Sequence, residues 1–179
     1  MTHWKVLAKS IWQTLVARLQ ASKPIILPRC YYTGIEGEVI ANKLHGFCYA
    51  SAKAYGAVVY LRIVTTHGSY IRFVASKTRV APLSNQTIPR LEMLSAIVFA
   101  RLMHSVKEAL TSEIKISRVV CWTDSKVAWY WIVQSTKEWK QFVQHHVDEI
   151  SWYLQTAGTI VLDQTIQRTF YPGGWIVMI

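Results

Sequence analysis

The chain has 179 residues, enough for one domain of about 100–200 residues with an arm or tail beside it. It is 51% hydrophobic and only 17% charged, against a usual charged share of about 25%, which excludes disorder driven by high charge and low hydropathy. Twenty Lys and Arg against ten Asp and Glu give a net charge of +10, which favours a polyanionic partner, nucleic acid first, over an enzyme for acidic substrates.

Along the first segment, Trp4, Leu7, Ile11, Leu15 and Leu19 recur every three or four positions, the stripe of an amphipathic arm helix. Pro24 and Pro28 stop it, so Lys23 to Tyr32 is expected as a strand or connector, followed by a loop at Thr33-Gly-Ile-Glu-Gly-Glu38. Leu44–Tyr49, Tyr55–Val64 and Ser69–Ser76 are rich in Val, Ile, Tyr and Phe and are separated by very short gaps. Such gaps join antiparallel neighbours, so these segments predict a three-stranded meander.

The period then changes. Leu91, Leu94, Val98, Leu102 and Val106 make a helical stripe over Thr87–Leu110, with Thr87 as a candidate cap and Pro89 in the first turn. Ile97, Phe99 and Met103 make the other side apolar too, so the helix is expected to be covered on two sides. Ile116–Trp122 fits a strand parallel to its neighbour. Asp124 or Ser125 caps a helix through about Gln134, and Lys137–Ile150 gives another. The uncharged stretches Ile150–Leu162 and Thr169–Ile179 fall short of the roughly 20 residues of a membrane-spanning helix, and the N-terminus lacks a signal-peptide pattern. Cys30, Cys48 and Cys121 fit neither a zinc ribbon nor a disulfide framework and read as reduced, buried thiols of an intracellular protein, cytoplasmic or nuclear.

Among the few acids, Asp124 directly follows a predicted strand, a position where open α/β sheets place ligands, although it also reads as an N-cap. Glu92 lies early in an apolar helix, where a charge is costly unless it is paired or binds a metal; an acid near a helix N-terminus is the plainer alternative. Together the two suggest a divalent metal held by carboxylates from a strand end and a helix.

Several segments in one order carry a resemblance: His45-Gly-Phe-Cys-Tyr-Ala-Ser51, Lys53-Ala-Tyr-Gly-Ala-Val-Val-Tyr60, Ser76-Lys-Thr-Arg-Val-Ala-Pro-Leu83, Gln86-Thr-Ile-Pro-Arg-Leu-Glu92 and Trp122-Thr-Asp-Ser125. Together they resemble the ribonuclease H-like region of BEL/Pao retrotransposon pol polyproteins, and Ile26-Leu-Pro-Arg-Cys30 is similar to the family's connector from the reverse transcriptase. The resemblance implies an α/β ribonuclease H-like fold, a mixed sheet in the order β-β-β-α-β-α, with residues 1–43 as arm helix and connector, 44–150 as the domain and 151–179 as a divergent tail.

It also implies a metal-dependent endoribonuclease family that cleaves RNA in RNA–DNA hybrids during reverse transcription, using two Mg²⁺ between carboxylates. By the motif, Glu92 is the helix carboxylate and Asp124 the one after the fourth strand. The family's first-strand Asp slot holds Tyr49 here, and a neutral phenol is a poor Mg²⁺ ligand whose ring fills the space of the bridging carboxylate. The family's last acid sits in an Asn-Pro-Ala-Asp segment that nothing after Ile150 matches; Asp148 and Asp163 are the remaining acids by composition. The implied copy is therefore impaired in catalysis, with a non-catalytic nucleic-acid-binding or structural module as the alternative. Ser76, Lys77, Thr78, Arg79 and Arg90 are candidates for phosphate contact, with an ordinary solvated rim as the alternative. Trp129, Tyr130 and Trp131 cannot all face one way on a helix, so one or two are expected to be exposed. His45 and Cys48 would point to opposite faces of a strand, which argues against zinc. Expected partners are RNA–DNA hybrid or other nucleic acid and the rest of the polyprotein, reverse transcriptase and integrase, with no membrane.

Overall fold

The computed structural model describes residues 3–24, 26–84, 86–134, 138–157, 160–163, 170–171 and 174–175. Two compact units make up the chain, Met1–Cys30 and Tyr31–Ile179. The first consists of helix α1 (His3–Ala21) and the stretch after it, which runs without regular structure through the prolines. Leu7, Ile11, Leu15 and Leu19, the stripe that predicts the helix, are all exposed.

The second unit begins with the three-stranded meander, longer than its apolar runs suggest: β1 (Val39–Ala50), β2 (Ala54–Thr65) and β3 (Gly68–Val80). Gly34 and Gly37 take positive φ in the turn before β1, a backbone region open to glycine without strain. Helix α2 (Ile88–Thr111) crosses to β4 (Ile116–Thr123), which lies parallel to β1. Helices α3 (Lys126–Val133) and α4 (Gln141–Ala157) follow. The last sheet strand, β5 (Ile160–Asp163), runs parallel to β4, giving the order β3-β2-β1-β4-β5. Phe170–Tyr171 (β6) pairs with Gly174–Trp175 (β7) as a separate two-residue ladder.

Three features depart from the sequence reading. Helix α4 continues seven residues past Ile150, and the segment read as an unmatched tail supplies a strand of the main sheet. Ile160-Val-Leu162 is short, but it completes the edge that β4 would otherwise leave unpaired. Cys30 is exposed, whereas Cys48 and Cys121 are buried as expected and all three are free thiols. The four terminal apolar residues lie outside the described residues.

The core follows from strand alternation. Ala57, Val59, Leu61 and Ile63 of β2, Leu44 and Cys48 of β1, and Val119 and Cys121 of β4 are buried on one face of the sheet, and α2 packs on that face through Met93, Ala96, Phe99 and Met103. Its other side meets α4, where Val147 and Ile150 are buried and Arg101 bonds Glu149 at 2.6 Å through Nε. The apolar circumference of α2 is thus used on two sides. Thr87 precedes the helix in extended conformation, but its side chain makes no capping bond; its carbonyl accepts from the Arg90 and Leu91 N–H groups.

Helix α2 crosses β1 at Gly46. A Cβ there would stand 2.0 Å from Cε2 of Phe99 and 2.7 Å from Cε of Met103, both buried, so the helix sits at a height only glycine permits. Gly46→Ala is expected to destabilise the domain by about 1–3 kcal/mol in denaturant unfolding, the usual penalty for overpacking. An unchanged midpoint would mean that α2 is free to lift.

On the opposite face His45 is 4% exposed. The Trp122 indole N–H donates to its Nδ1 at 3.2 Å. Burial first, then the charges of Arg62, Lys43 and Arg118, pull its pKa from 6.5 down to about 4. The unfolded chain therefore takes up a proton that the folded chain refuses. Stability is full above pH 6.5 and falls as pH drops toward 4, by on the order of 3 kcal/mol at the lower end. Denaturant unfolding of His45→Gln should lack this part of the acid slope; an identical slope would show that His45 does not titrate on unfolding.

Candidate active site

Strands β1 and β4 run parallel and end together. Their last Cα partners are Cys48 and Thr123, so Tyr49 and Asp124 are the next residues along two adjacent strands. The chain bends at Asp124 and enters α3 through Ser125, which is extended (φ −83°, ψ 103°) and accepts the Ala128 N–H at 3.0 Å through its Oγ. The Ser125 N–H donates in turn to the Thr123 hydroxyl at 3.2 Å. Of the two cap candidates, Ser125 holds the position, and half-buried Asp124 stands just before it.

Glu92 comes to this point from α2. It is half-buried, and the Ser125 hydroxyl donates to its Oε2 at 2.5 Å. This hydrogen bond holds the carboxylate beside the strand end. The Ser95 hydroxyl donates to the Glu92 carbonyl at 2.7 Å within the helix. Cys48 lies under both acids. Burial chiefly raises its thiol pKa to about 11, and the Asp124 and Glu92 charges push the same way, against hydrogen bonds from Thr123 and Ser95. Two carboxylates therefore act on one buried sulfur.

The third family position holds Tyr49, which is 42% exposed. Among the described residues no three His, Cys, Asp or Glu side chains come together in a way that would hold a metal ion. Two carboxylates and a phenol do not fit a pair of divalent cations that need bridging oxygen ligands. Asp148 is exposed on α4 and accepts from Gln144 Nε2 at 2.8 Å, away from the strand ends. The backbone of Asp163 pairs with Trp122 at the end of β5, two residues before Asp124 in the neighbouring strand. In the sequence Asp163 is a remaining acid by composition alone, because no family motif surrounds it.

Ser76, Lys77, Thr78 and Arg79 are exposed and lie within β3, the sheet edge, rather than after it. Tyr49 pairs with Gly56 and Gly56 with Thr78, so this basic edge is two strands, roughly 10 Å, from Tyr49 at the same level of the sheet. Arg90 is exposed but turned to α4: its guanidinium lies over the Phe142 ring at 4.5 Å. Of the three consecutive aromatics, Tyr130 is exposed while Trp129 and Trp131 are half-buried, Trp131 against the core and Trp139. Cys48 packs toward α2 and His45 toward Trp122 on the other face, so they form no metal pair. The Ser125–Glu92 bond was not foreseen in the sequence; the only hint was a serine next to the strand-end acid.

Ser125→Ala removes the α3 cap and the Glu92 partner together. It should destabilise the domain by about 1–2 kcal/mol in denaturant unfolding, near the upper range for a lost cap. Ser125→Asp would keep a cap but repel Glu92, and a loss no smaller than that of the alanine variant is expected.

Residues 4–125, more than half of the chain, match the family described as Pao retrotransposon-like RNaseH-like domain. The comparison with curated proteins finds no match. Similar solved structures include RNase H1 from the halophilic archaeon Halobacterium salinarum NRC-1, at 12% identity over 69% of this chain and 86% of that one, with a TM-score of 0.40. The N-terminal RNase H domain of rv2228c from Mycobacterium tuberculosis, solved as a fusion with maltose binding protein, is 10% identical over 72% and 88%, with a TM-score of 0.43. The foamy viral protease-reverse transcriptase in complex with RNA/DNA hybrid is 12% identical over 85% of this chain and 23% of that chain, with a TM-score of 0.37. No helix among the described residues is long and apolar enough to cross a membrane.

Proposed function

The chain belongs to the Pao retrotransposon-like RNaseH-like domain family, and from that premise we propose that it is a hybrid-binding module of a retrotransposon polyprotein whose hydrolytic centre is incomplete. Tyr49 carries the reading. It occupies the first-strand acid slot, directly beside Asp124 in the β1–β4 pair, where the family chemistry needs a carboxylate. Glu92 and Asp124 are the remaining helix and strand-end acids, and the Ser125 hydroxyl keeps Glu92 oriented. The β3 edge, through Ser76, Lys77, Thr78 and Arg79, supplies hydroxyls and cations to a phosphate backbone, while Arg90, engaged on Phe142, contributes charge at the helix start.

Asp163 is the fourth acid in this reading. The support is its backbone register at the end of β5, beside β4. The partners are RNA–DNA hybrid and the reverse transcriptase and integrase portions of the same polyprotein, within the cell. Binding needs only the basic edge, so it survives the loss of the first acid. With about four phosphates neutralised, log K should fall against log salt with a slope of roughly −3 to −4.

The test is a cleavage assay on an RNA–DNA hybrid with Mg²⁺. The wild-type chain should bind the hybrid without measurable cleavage, and Tyr49→Asp should gain cleavage of the RNA strand by a thousandfold or more, about 4 kcal/mol of transition-state stabilisation. Adding Asp163→Asn to Tyr49→Asp should remove most of that gain. Cleavage by the wild-type chain at the rate of Tyr49→Asp would contradict the reading.

A further inference from the structure

The sheet face turned away from α2 carries a row of cations. Lys43 is the Cα partner of Arg62 in the antiparallel β1–β2 pair and of Arg118 in the parallel β1–β4 pair. Partners on adjacent strands share a face and stand roughly 5 Å apart, so Arg62, Lys43 and Arg118 line up across three strands. Like charges placed directly opposite destabilise a sheet, and sheets normally alternate them with acids. Here no acid is supplied: residues 39–91 and the whole of β4 contain no Asp or Glu. Among the described residues none of the three cations forms an ion pair.

His45 lies one step along β1 from this row. Its Nδ1 accepts from Trp122, which fixes the neutral ring with its proton on Nε2. That Nε2 is buried without a hydrogen-bond partner, and so is Nε of Arg62. Arg62 Nη2 donates to Ser69 Oγ at 3.4 Å, but these two buried donors and three cations without an ion pair among the described residues make a cluster suited to an anion. Trp122, Phe47, Tyr60 and Phe73 continue along the same face as a ladder of rings across β4, β1, β2 and β3, each 6.1 Å from the next. Within it Tyr60 is half-buried and Phe73, at the β3 end, is 37% exposed.

Residues 1–35 and 164–179 contain no Asp or Glu, so these segments offer no acidic side chain to the row. An acidic protein segment would answer the cations and leave the rings unused. A nucleic-acid strand answers both, with phosphates for the row and bases for the ladder. We propose that this face is a second, metal-independent binding surface for single-stranded nucleic acid, with phosphates on Arg62, Lys43 and Arg118 and bases against Tyr60 and Phe73. It lies on the far side of the sheet from α2.

The experiment measures binding of a labelled oligothymidylate to the full chain in EDTA. Lys43→Gln/Arg118→Gln should weaken it about tenfold and flatten the log–log salt slope by roughly 1.4, two phosphate contacts on a single strand. Phe73→Ala should weaken the oligonucleotide but leave inorganic polyphosphate binding unchanged. Lys77→Gln/Arg79→Gln should spare oligothymidylate while weakening the hybrid, so failure here and failure of the proposed hybrid site are told apart. Relief of like-charge contact should leave the melting temperature of Lys43→Gln/Arg118→Gln equal to or above that of the wild type. A fall in melting temperature would make the row structural and overturn the proposal. Unchanged oligonucleotide affinity would overturn it too, as would displacement by polyglutamate with Phe73→Ala without effect, which would point to an acidic protein partner.

Discussion

The close approach of α2 to β1 at Gly46 governs the arrangement of this domain. With no Cβ at that point, Phe99 and Met103 press directly on the strand, and the helix axis is fixed in height over the sheet. Everything at the strand ends depends on that height. Glu92 lies two turns before Phe99 on the same helix, so the seating of Phe99 decides whether the carboxylate reaches Ser125. The α4 side of the helix, with Val147, Ile150 and the Arg101–Glu149 pair, presses it onto the sheet from above. Rigid packing of this kind places acids with a precision that loops do not provide.

The distribution of charge is the second organising fact. The ten acids are few, and none lies in β1, β2, β3 or β4. Glu92 therefore comes to the strand ends from a helix and Asp124 from the bend after β4. With Tyr49 in the first strand, the meander offers cations and hydroxyls alone. That composition suits contact with phosphates and is poor for holding divalent metal. On the far face His45 is held toward its neutral form first by burial and then by the charges of Arg62, Lys43 and Arg118.

Much of this was legible in the sequence because the strongest signals are periodic. The α2 stripe, the three β runs with short gaps and the apolar run before Asp124 each follow from side-chain spacing, and the family motifs agree with them. What escaped detection has identifiable causes. Residues 160–163 are too short for a periodic pattern, and their strand exists because β4 offers an open edge. Helix α4 runs past Ile150 because Trp152 and Tyr153 continue it to His104 of α2, a tertiary contact with no local signature. Asp124 and Ser125 are both good cap residues, and only the Ala128 N–H bond distinguishes them. Arg90 reads as a free cation until Phe142 is brought over from α4.

Glu92 and Asp124 both act on the buried Cys48 thiol, and Tyr49 ends β1 at the same level; the proposed incomplete centre implies that these acids do not hold two metal ions. Isothermal titration of Mg²⁺ into the wild-type chain, with Mn²⁺ broadening of the Glu92 and Asp124 resonances as the site-specific readout, tests it most directly. At most one weakly bound ion is expected, with broadening at both acids and no second saturable heat. Two ions bound with saturation at the strand ends would contradict it.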